Sequence, residues 1–428
     1  MTGLRSFVLG ATTVAALSLF NPAAKAIGCP FCSAQGQTLS GEVNQADFIV
    51  LGTLSNAQRD KNDFTRGTTD LSIEIVVKPH DFLTGKTKLV IPRYVPIEPK
   101  GNGKFLLFCS LYTRQSDFAA AAVSSTASLA TFSSAQIDAY RGEMVRQDSK
   151  LAEYLKGAIE VRGKDSTTRL RYFFDYLDSN DLVIASDALN EFGYADYKEV
   201  RDLAATIPSA KVLKWLTDPN TSPSRFGLYG LLLGHCGKKE DAKTLHALLT
   251  QPDRAYSSGL DGMLAAYVLL DKEAGWNYAM GLLKDPKNDF PIRYAGLKLM
   301  RFFYEFRPDV VPQKEVIEGM KLLAGQADMA DLPIEDLRKW GQWQLTPFVL
   351  AFTKEQSHNS IPIVRRSILR FAIAAPANQT EAKAYVEEIR KQDPDRVKFV
   401  EQTLQDELPT KPNPPMTAGA TPSGPGGK

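Results

Sequence analysis

The chain has 428 residues, 43% of them hydrophobic and 23% charged, an ordinary composition for a soluble protein of two or three domains. Its 51 basic and 49 acidic residues leave a formal charge of only +2, so no strong field singles out nucleic acid or an anionic membrane as a partner. No phosphate-binding loop, dinucleotide fingerprint, nucleophile elbow or H-E-x-x-H motif occurs in the sequence.

Residues 1–26 have the layout of a secretion signal. Arg5 supplies the positive start, residues 7–20 form an apolar run too short for a comfortable membrane span, and Ala24-Lys25-Ala26 offers a cleavage site. The expected destination is the periplasm or the exterior, where disulfides persist. Lipid anchoring through Cys29 is the lesser alternative, because Pro22 and Lys25 break the apolar run where a lipobox needs it intact.

Residues 27–115 read as a small β-barrel domain. The stretches 47–54, 71–77, 88–95 and 104–112 are strand-like and bounded by Gly, Pro, Asn or Asp, with Asn102-Gly103 as a tight turn before the last. The domain opens on C-P-F-C, Cys29 to Cys32, and a third cysteine, Cys109, lies inside a strand. Three chemistries compete for the motif. A redox dithiol needs a helix N-terminus that lowers a thiol pKa, and no strand precedes the motif as in thioredoxin-like units. A zinc site needs a second ligand pair, which the sequence lacks. A structural disulfide needs only one more cysteine nearby, so we expect Cys29 or Cys32 to bridge to Cys109, ahead of a Cys29–Cys32 bridge and of a catalytic dithiol.

The order of these features resembles the OB-fold of netrin-like domains and tissue inhibitors of metalloproteinases. The cysteine motif comes first, followed by A-D-F-I-V-L-G-T-L (46–54), I-E-I-V-V-K (73–78) with a nearby T-G-K (84–86), and G-K-F-L-L-F (103–108). The resemblance covers about a fifth of the chain and implies an OB-fold barrel for its four or five short strands. In those inhibitors the N-terminal cysteine chelates a protease zinc and the spacing is C-x-C. Here the spacing is C-x-x-C, and Ile27-Gly28 precedes Cys29. Protease inhibition is therefore the alternative function.

Residues 116–164 form the expected connector. The part 118–134 is rich in Ala and Ser, and Ser134 is placed to cap a helix through about residue 158, with Ile137, Tyr140, Met144, Leu151 and Leu155 at helical spacing.

Residues 165–405 carry an internal repeat. The segments 180–192, 220–232, 288–300 and 359–371 align without a gap, each led by an asparagine: Asn180, Asn220, Asn288 and Asn359. Their starts lie 40, 68 and 71 residues apart, which fits helical hairpins of about 35 residues. Pro223, Pro291 and Pro362 open the following helices, where a missing N–H costs nothing. Arg225 and Arg293 share a column that we expect to ion-pair along the stack. The pattern predicts an all-α, HEAT-like solenoid and is similar to signal-bearing HEAT-repeat proteins of planctomycete-like bacteria, a resemblance that implies no particular activity. The aromatic clusters 172–174, 302–304 and 340–343 are expected in its core. Residues 406–428, rich in Pro and Gly, read as a disordered tail.

Candidate chemistry is sparse. His235-Cys236 with His246 is the one grouping worth weighing as a metal site, and we expect its members to serve structure instead. Asp187 and Glu191 fall on one helix face, expected to be solvated or ion-paired. The sequence thus predicts an α+β chain of two architectures, needing no cofactor or metal. The expected role is that of a secreted, non-enzymatic protein that binds a protein partner of the cell envelope, with thiol–disulfide exchange at the C-P-F-C motif as a further alternative.

Overall fold

The computed structural model of the chain describes residues 29–31, 36–61, 63, 66–97, 104–113, 135–251 and 258–407. The expected signal peptide, Cys32, the Asn102-Gly103 turn, the segment 118–134 and the Pro/Gly-rich tail beyond residue 407 lie outside the described residues.

A short helix, α1 (Leu39–Glu42), leads into five strands: β1 (Phe48–Arg59), β2 (Gly67–Lys78), β3 (Lys88–Ile91), β4 (Lys104–Thr113) and β5 (Ala135–Val145). They form one sheet in the order β3-β2-β1-β4-β5, with every neighbour antiparallel. The arrangement of the first four is a Greek key. Both faces are covered, which is why β1 reads as a continuous apolar run. Phe48 and Val50 join Leu71, Leu107 and Cys109 on one face, whereas Ile49 and Leu51 join Leu106 and Phe108 against the helices.

The sheet is open, which corrects the expected barrel. β3 and β5 are its two edges; they approach one another, and Arg93 reaches Asp138 across the gap at 3.6 Å. β3 has only four residues, and Pro92, which cannot donate to a ladder, follows it directly. The sheet domain also runs past residue 115. The stretch expected to start a helix at Ser134 is β5, and the helix begins only at Leu151. The cause is a bulge: Phe108 faces Arg141 and Cys109 faces Ala139, which leaves Tyr140 as an extra residue. That insertion spaces Ile137, Tyr140 and Met144 like one face of a helix.

The rest of the described chain is helical: α2 (Leu151–Val161), α3 (Ser166–Phe174), α4 (Leu182–Tyr194), α5 (Tyr197–Ala204), α6 (Ser209–Thr217), α7 (Phe226–Cys236), α8 (Asp241–Leu249), α9 (Leu260–Leu270), α10 (Lys272–Lys284), α11 (Phe290–Glu305), α12 (Gln313–Ala324), α13 (Asp331–Lys339), α14 (Thr346–Ala351), α15 (Gln356–Asn359), α16 (Pro362–Ala374), α17 (Thr380–Gln392) and α18 (Pro394–Asp406). Packing is between near neighbours in sequence: α5 lies on α7, α7 on α9, and α9 on both α10 and α11. Side-chain bonds repeat at one separation. Arg171 to Thr206, Arg293 to Asp328, Arg301 to Asp336, Trp340 to Glu305 and Arg370 to Glu335 each span 35 residues.

The repeated turn is built as follows. Pro223 opens a short 3-10 turn into α7, Pro291 sits in the first turn of α11, and Pro362 starts α16. Asn288 donates from its side chain to the Leu282 carbonyl at 2.8 Å, and Asn220 donates to Asp218. Arg293 is 5% exposed, donates to the Asn288 carbonyl at 2.8 Å and holds Gln326 and Asp328, each at 2.9 Å. Arg365 makes the same backward reach to the Asn359 carbonyl at 2.5 Å. Arg225 lies near the Tyr229 hydroxyl, where its charge opposes the rise that burial gives that group, and makes no ion pair along the stack among the described residues, and Asn180 is exposed beside the α4 cap, Asp181.

The tightest helix pair, α7 and α9, depends on small residues. A Cβ at Gly230 or Gly262 would fall 2.7 Å or 2.1 Å from the backbone of the opposite helix, so both positions require glycine. The aromatic clusters are core in part: Phe173, Phe174, Phe302 and Phe303 are buried, whereas Tyr172, Tyr304, Trp340 and Trp343 are half-buried against the core, Tyr304 stacking face to face on Trp340 at 3.7 Å. Among the described residues, no helix is long and apolar enough to cross a membrane.

Candidate functional site at the junction of sheet and helices

The segment ahead of the sheet lies along the helices and is held at several points. The Phe31 ring meets Phe302 of α11 at 4.9 Å, and the Tyr194 hydroxyl donates to the Gly36 carbonyl. The strongest hold is at α1. Asp187, on α4 and 4% exposed, accepts the Leu39 N–H at 2.6 Å, the Ser40 hydroxyl at 2.6 Å and the Tyr154 hydroxyl at 2.9 Å. One turn on, Glu191 accepts the Thr38 hydroxyl at 2.5 Å. Arg169 stands between two carboxylates, 3.8 Å from Glu191 and 3.2 Å from Glu199.

These two acids were expected on a solvated or ion-paired face; both are buried, and Glu191 is paired with Arg169. The i, i+4 spacing places them on one side of α4, and that side faces α1, whose unpaired N–H groups supply donors that water would otherwise provide. Burial raises the Glu191 carboxyl pKa above the ordinary range, the Asp187 charge adds to this, and the Thr38 bond and Arg169 oppose it. Burial likewise raises the Tyr154 hydroxyl, again reinforced by Asp187. Every Asp187 contact is a donor from the opposite domain or from α2, so the arrangement fastens the sheet domain to the helices and leaves Asp187 no free geometry for a nucleophile.

Beside this latch runs a cleft of about 490 Å³. One wall is β5, with Arg141 and Glu143; the other is α4, with Leu182, Ser186 and Asn190 on one helical stripe; Gln37 closes an end. Arg141 is ion-paired with Glu42 of α1. Gln37, Ser186 and Asn190 make no side-chain hydrogen bond among the described residues, so three polar groups are available to an occupant.

The cysteine chemistry differs from expectation. Cys109 is a free, buried thiol, so neither Cys29 nor Cys32 bridges to it. The sheet itself keeps them apart: Cys109 belongs to one face, while Cys29 packs in the core on the other. Cys29 is disulfide-bonded and only 5% exposed, and Cys236 is a free thiol. Burial pushes the Cys109 thiol up to about 12 and Cys236 up to about 11, the opposite of activation.

His235 and His246 serve separate structural contacts. His235 Nε2 lies 3.0 Å from the Tyr197 hydroxyl, and burial, aided by Arg307 and Arg201, pushes its pKa down to about 4. His246 sits between the rings of Tyr267 and Tyr278. Among the described residues no group of three or more His, Cys, Asp and Glu side chains is placed to hold a metal ion. Compared with known proteins, the chain matches no family model, no curated protein and no solved structure.

Proposed function

We propose that the chain is a secreted or periplasmic binding or scaffold protein that holds a protein partner of the cell envelope on the surface of its helical stack. The observation that carries this reading is the set of bonds spanning 35 residues, which recurs from Arg171 to Arg370. A step of about 35 residues suits stacked helical hairpins, somewhat shorter than a HEAT repeat, in which each hairpin buries its apolar stripe on its neighbours and the assembly presents one long surface. The Greek-key order of the strands supports an OB-like ancestry for the sheet domain, without closure into a barrel. Phe290 and Ile363, 45% and 54% exposed in the first turns of two repeat helices, supply apolar contact points on that surface.

The test is photo-crosslinking in the native envelope, with benzoylphenylalanine placed at Phe290 or at Ile363. One and the same crosslinked protein recovered from both positions supports the reading. Crosslinks that differ between the two positions, or none at either, overturn it.

A further inference from the structure

We propose that the cavity between α8 and the junction of α9 with α10 binds a neutral sugar residue of a glycan. The cavity measures about 430 Å³, within the range of small-molecule sites. It is a separate site from the apolar contact points at Phe290 and Ile363, and neither reading requires the other. One group in its wall serves no contact within the fold. Tyr267 of α9 is only 8% exposed, yet its hydroxyl makes no hydrogen bond among the described residues. The hydroxyl is not sealed in the core either: among the described tyrosines, Tyr140 is the one whose hydroxyl is both sealed and unpaired. Tyr267 lines the cavity, so its hydroxyl opens there, where an occupant can supply the missing bond.

The other walls select the class of ligand. Lys239 and Lys243 stand at the cavity with Glu240 and Asp271, so two positive and two negative side chains cancel. Lys239 and Asp271 pair at 3.5 Å, while Lys243 and Glu240 make no ion pair among the described residues. A phosphate or carboxylate would be repelled by the two acids, and an ammonium group by the two lysines. Adjacent sugar hydroxyls, each a donor and an acceptor, satisfy ammonium and carboxylate together. The remaining wall is aromatic. His246 is exposed on α8, and its ring is held by Tyr267 at 5.6 Å and Tyr278 at 5.3 Å, which come from α9 and α10. The Tyr278 hydroxyl donates to the Leu249 carbonyl at 3.3 Å, which fixes that ring in turn. A held imidazole at the cavity wall gives the C–H face of a sugar ring a flat surface to pack on.

The probes are chitotriose, cellotriose, maltotriose and mannotriose, each titrated into the mature chain by calorimetry. We expect one of them to bind and to lose about tenfold in affinity against Tyr267→Phe, which removes the hydroxyl and keeps the ring packing. Ala274→Trp, which fills the cavity from an exposed position, should abolish binding. Excess inorganic phosphate should leave the affinity unchanged, and amide exchange at 239–246 and 267–274 should slow in the complex. The proposal is overturned if none of the four sugars binds at millimolar concentration, if the bound sugar has equal affinity for wild type and both variants, or if phosphate displaces it. Crosslinking at Phe290 and Ile363 depends on none of these results, so the two proposals fail separately.

Discussion

Replacing Asp187 by alanine tests whether the junction is a latch. The carboxylate accepts from Leu39 N–H, Ser40 and Tyr154. Ser40 is partly exposed and can turn to water, but the Leu39 N–H and the Tyr154 hydroxyl are buried and would be stranded. Each stranded donor costs about 1–3 kcal/mol, so Asp187→Ala should weaken the junction by about 2–6 kcal/mol. Because a chain of two architectures need not unfold in one step, local amide exchange is the better assay than a single denaturation curve. A loss of about 3 kcal/mol corresponds to exchange about 100-fold faster at residues 38–46, while the distant α16 to α18 should be unchanged. Tyr154→Phe alone should cost about 1 kcal/mol. The double variant should be milder than the sum by about 1–2 kcal/mol, since the stranded hydroxyl is then gone. If exchange at 38–46 rises less than about fivefold, or the two substitutions prove additive, Asp187 is not the fastening described here.

Three further outcomes follow from the same contacts. The raised Glu191 pKa means the folded state holds that proton more tightly than the unfolded state, so wild type gains stability as pH falls through the folded value. Glu191→Gln should lack that gain, and urea midpoints measured from pH 7.5 down to about 4.5 should show wild type rising relative to the variant; parallel curves refute it. Arg293→Lys should cost about 2–3 kcal/mol, because one ammonium cannot reach Asn288, Gln326 and Asp328 in their three directions; hydrogen exchange in the turn before α11 reports it. In native protein at pH 8, iodoacetamide should leave Cys109 unmodified until urea is added, whereas a Cys109 labelled before unfolding would contradict its burial.

The parts legible in the sequence are those whose signal is local or periodic. Proline in the first helical turn and a hairpin step near 35 residues were visible, because each copy repeats the same steric solution at Pro223, Pro291 and Pro362; the asparagine lies in the preceding loop at Asn220 and Asn288, whereas Asn359 ends the short helix α15. The role of Arg293 followed from its column, although Arg225 in that column turned to Tyr229. Non-local signals were not visible. Tyr140 imitates a helical spacing only because a bulge inserts it, and a bulge is set by the register of Cys109 opposite. The fates of Asp187 and Glu191 depended on which segment would lie over α4. The glycines of α7 and α9 had no meaning until the two helices were side by side. Cysteine pairing failed for the same reason, since nothing in the spacing of Cys29 and Cys109 says that a sheet stands between them.

The segment strapped along the helices has a consequence for how the chain is made. A stack of near-neighbour hairpins can form piece by piece as it leaves a ribosome or a translocation channel. The strap cannot: Thr38 waits for Glu191, 153 residues later in the chain, and Phe31 waits for Phe302. The earliest part of the described chain is therefore among the last to settle. Until α4 has emerged Leu39 stays uncovered, and until α11 has emerged so does Phe31, a period in which a holding chaperone has an apolar surface to grip.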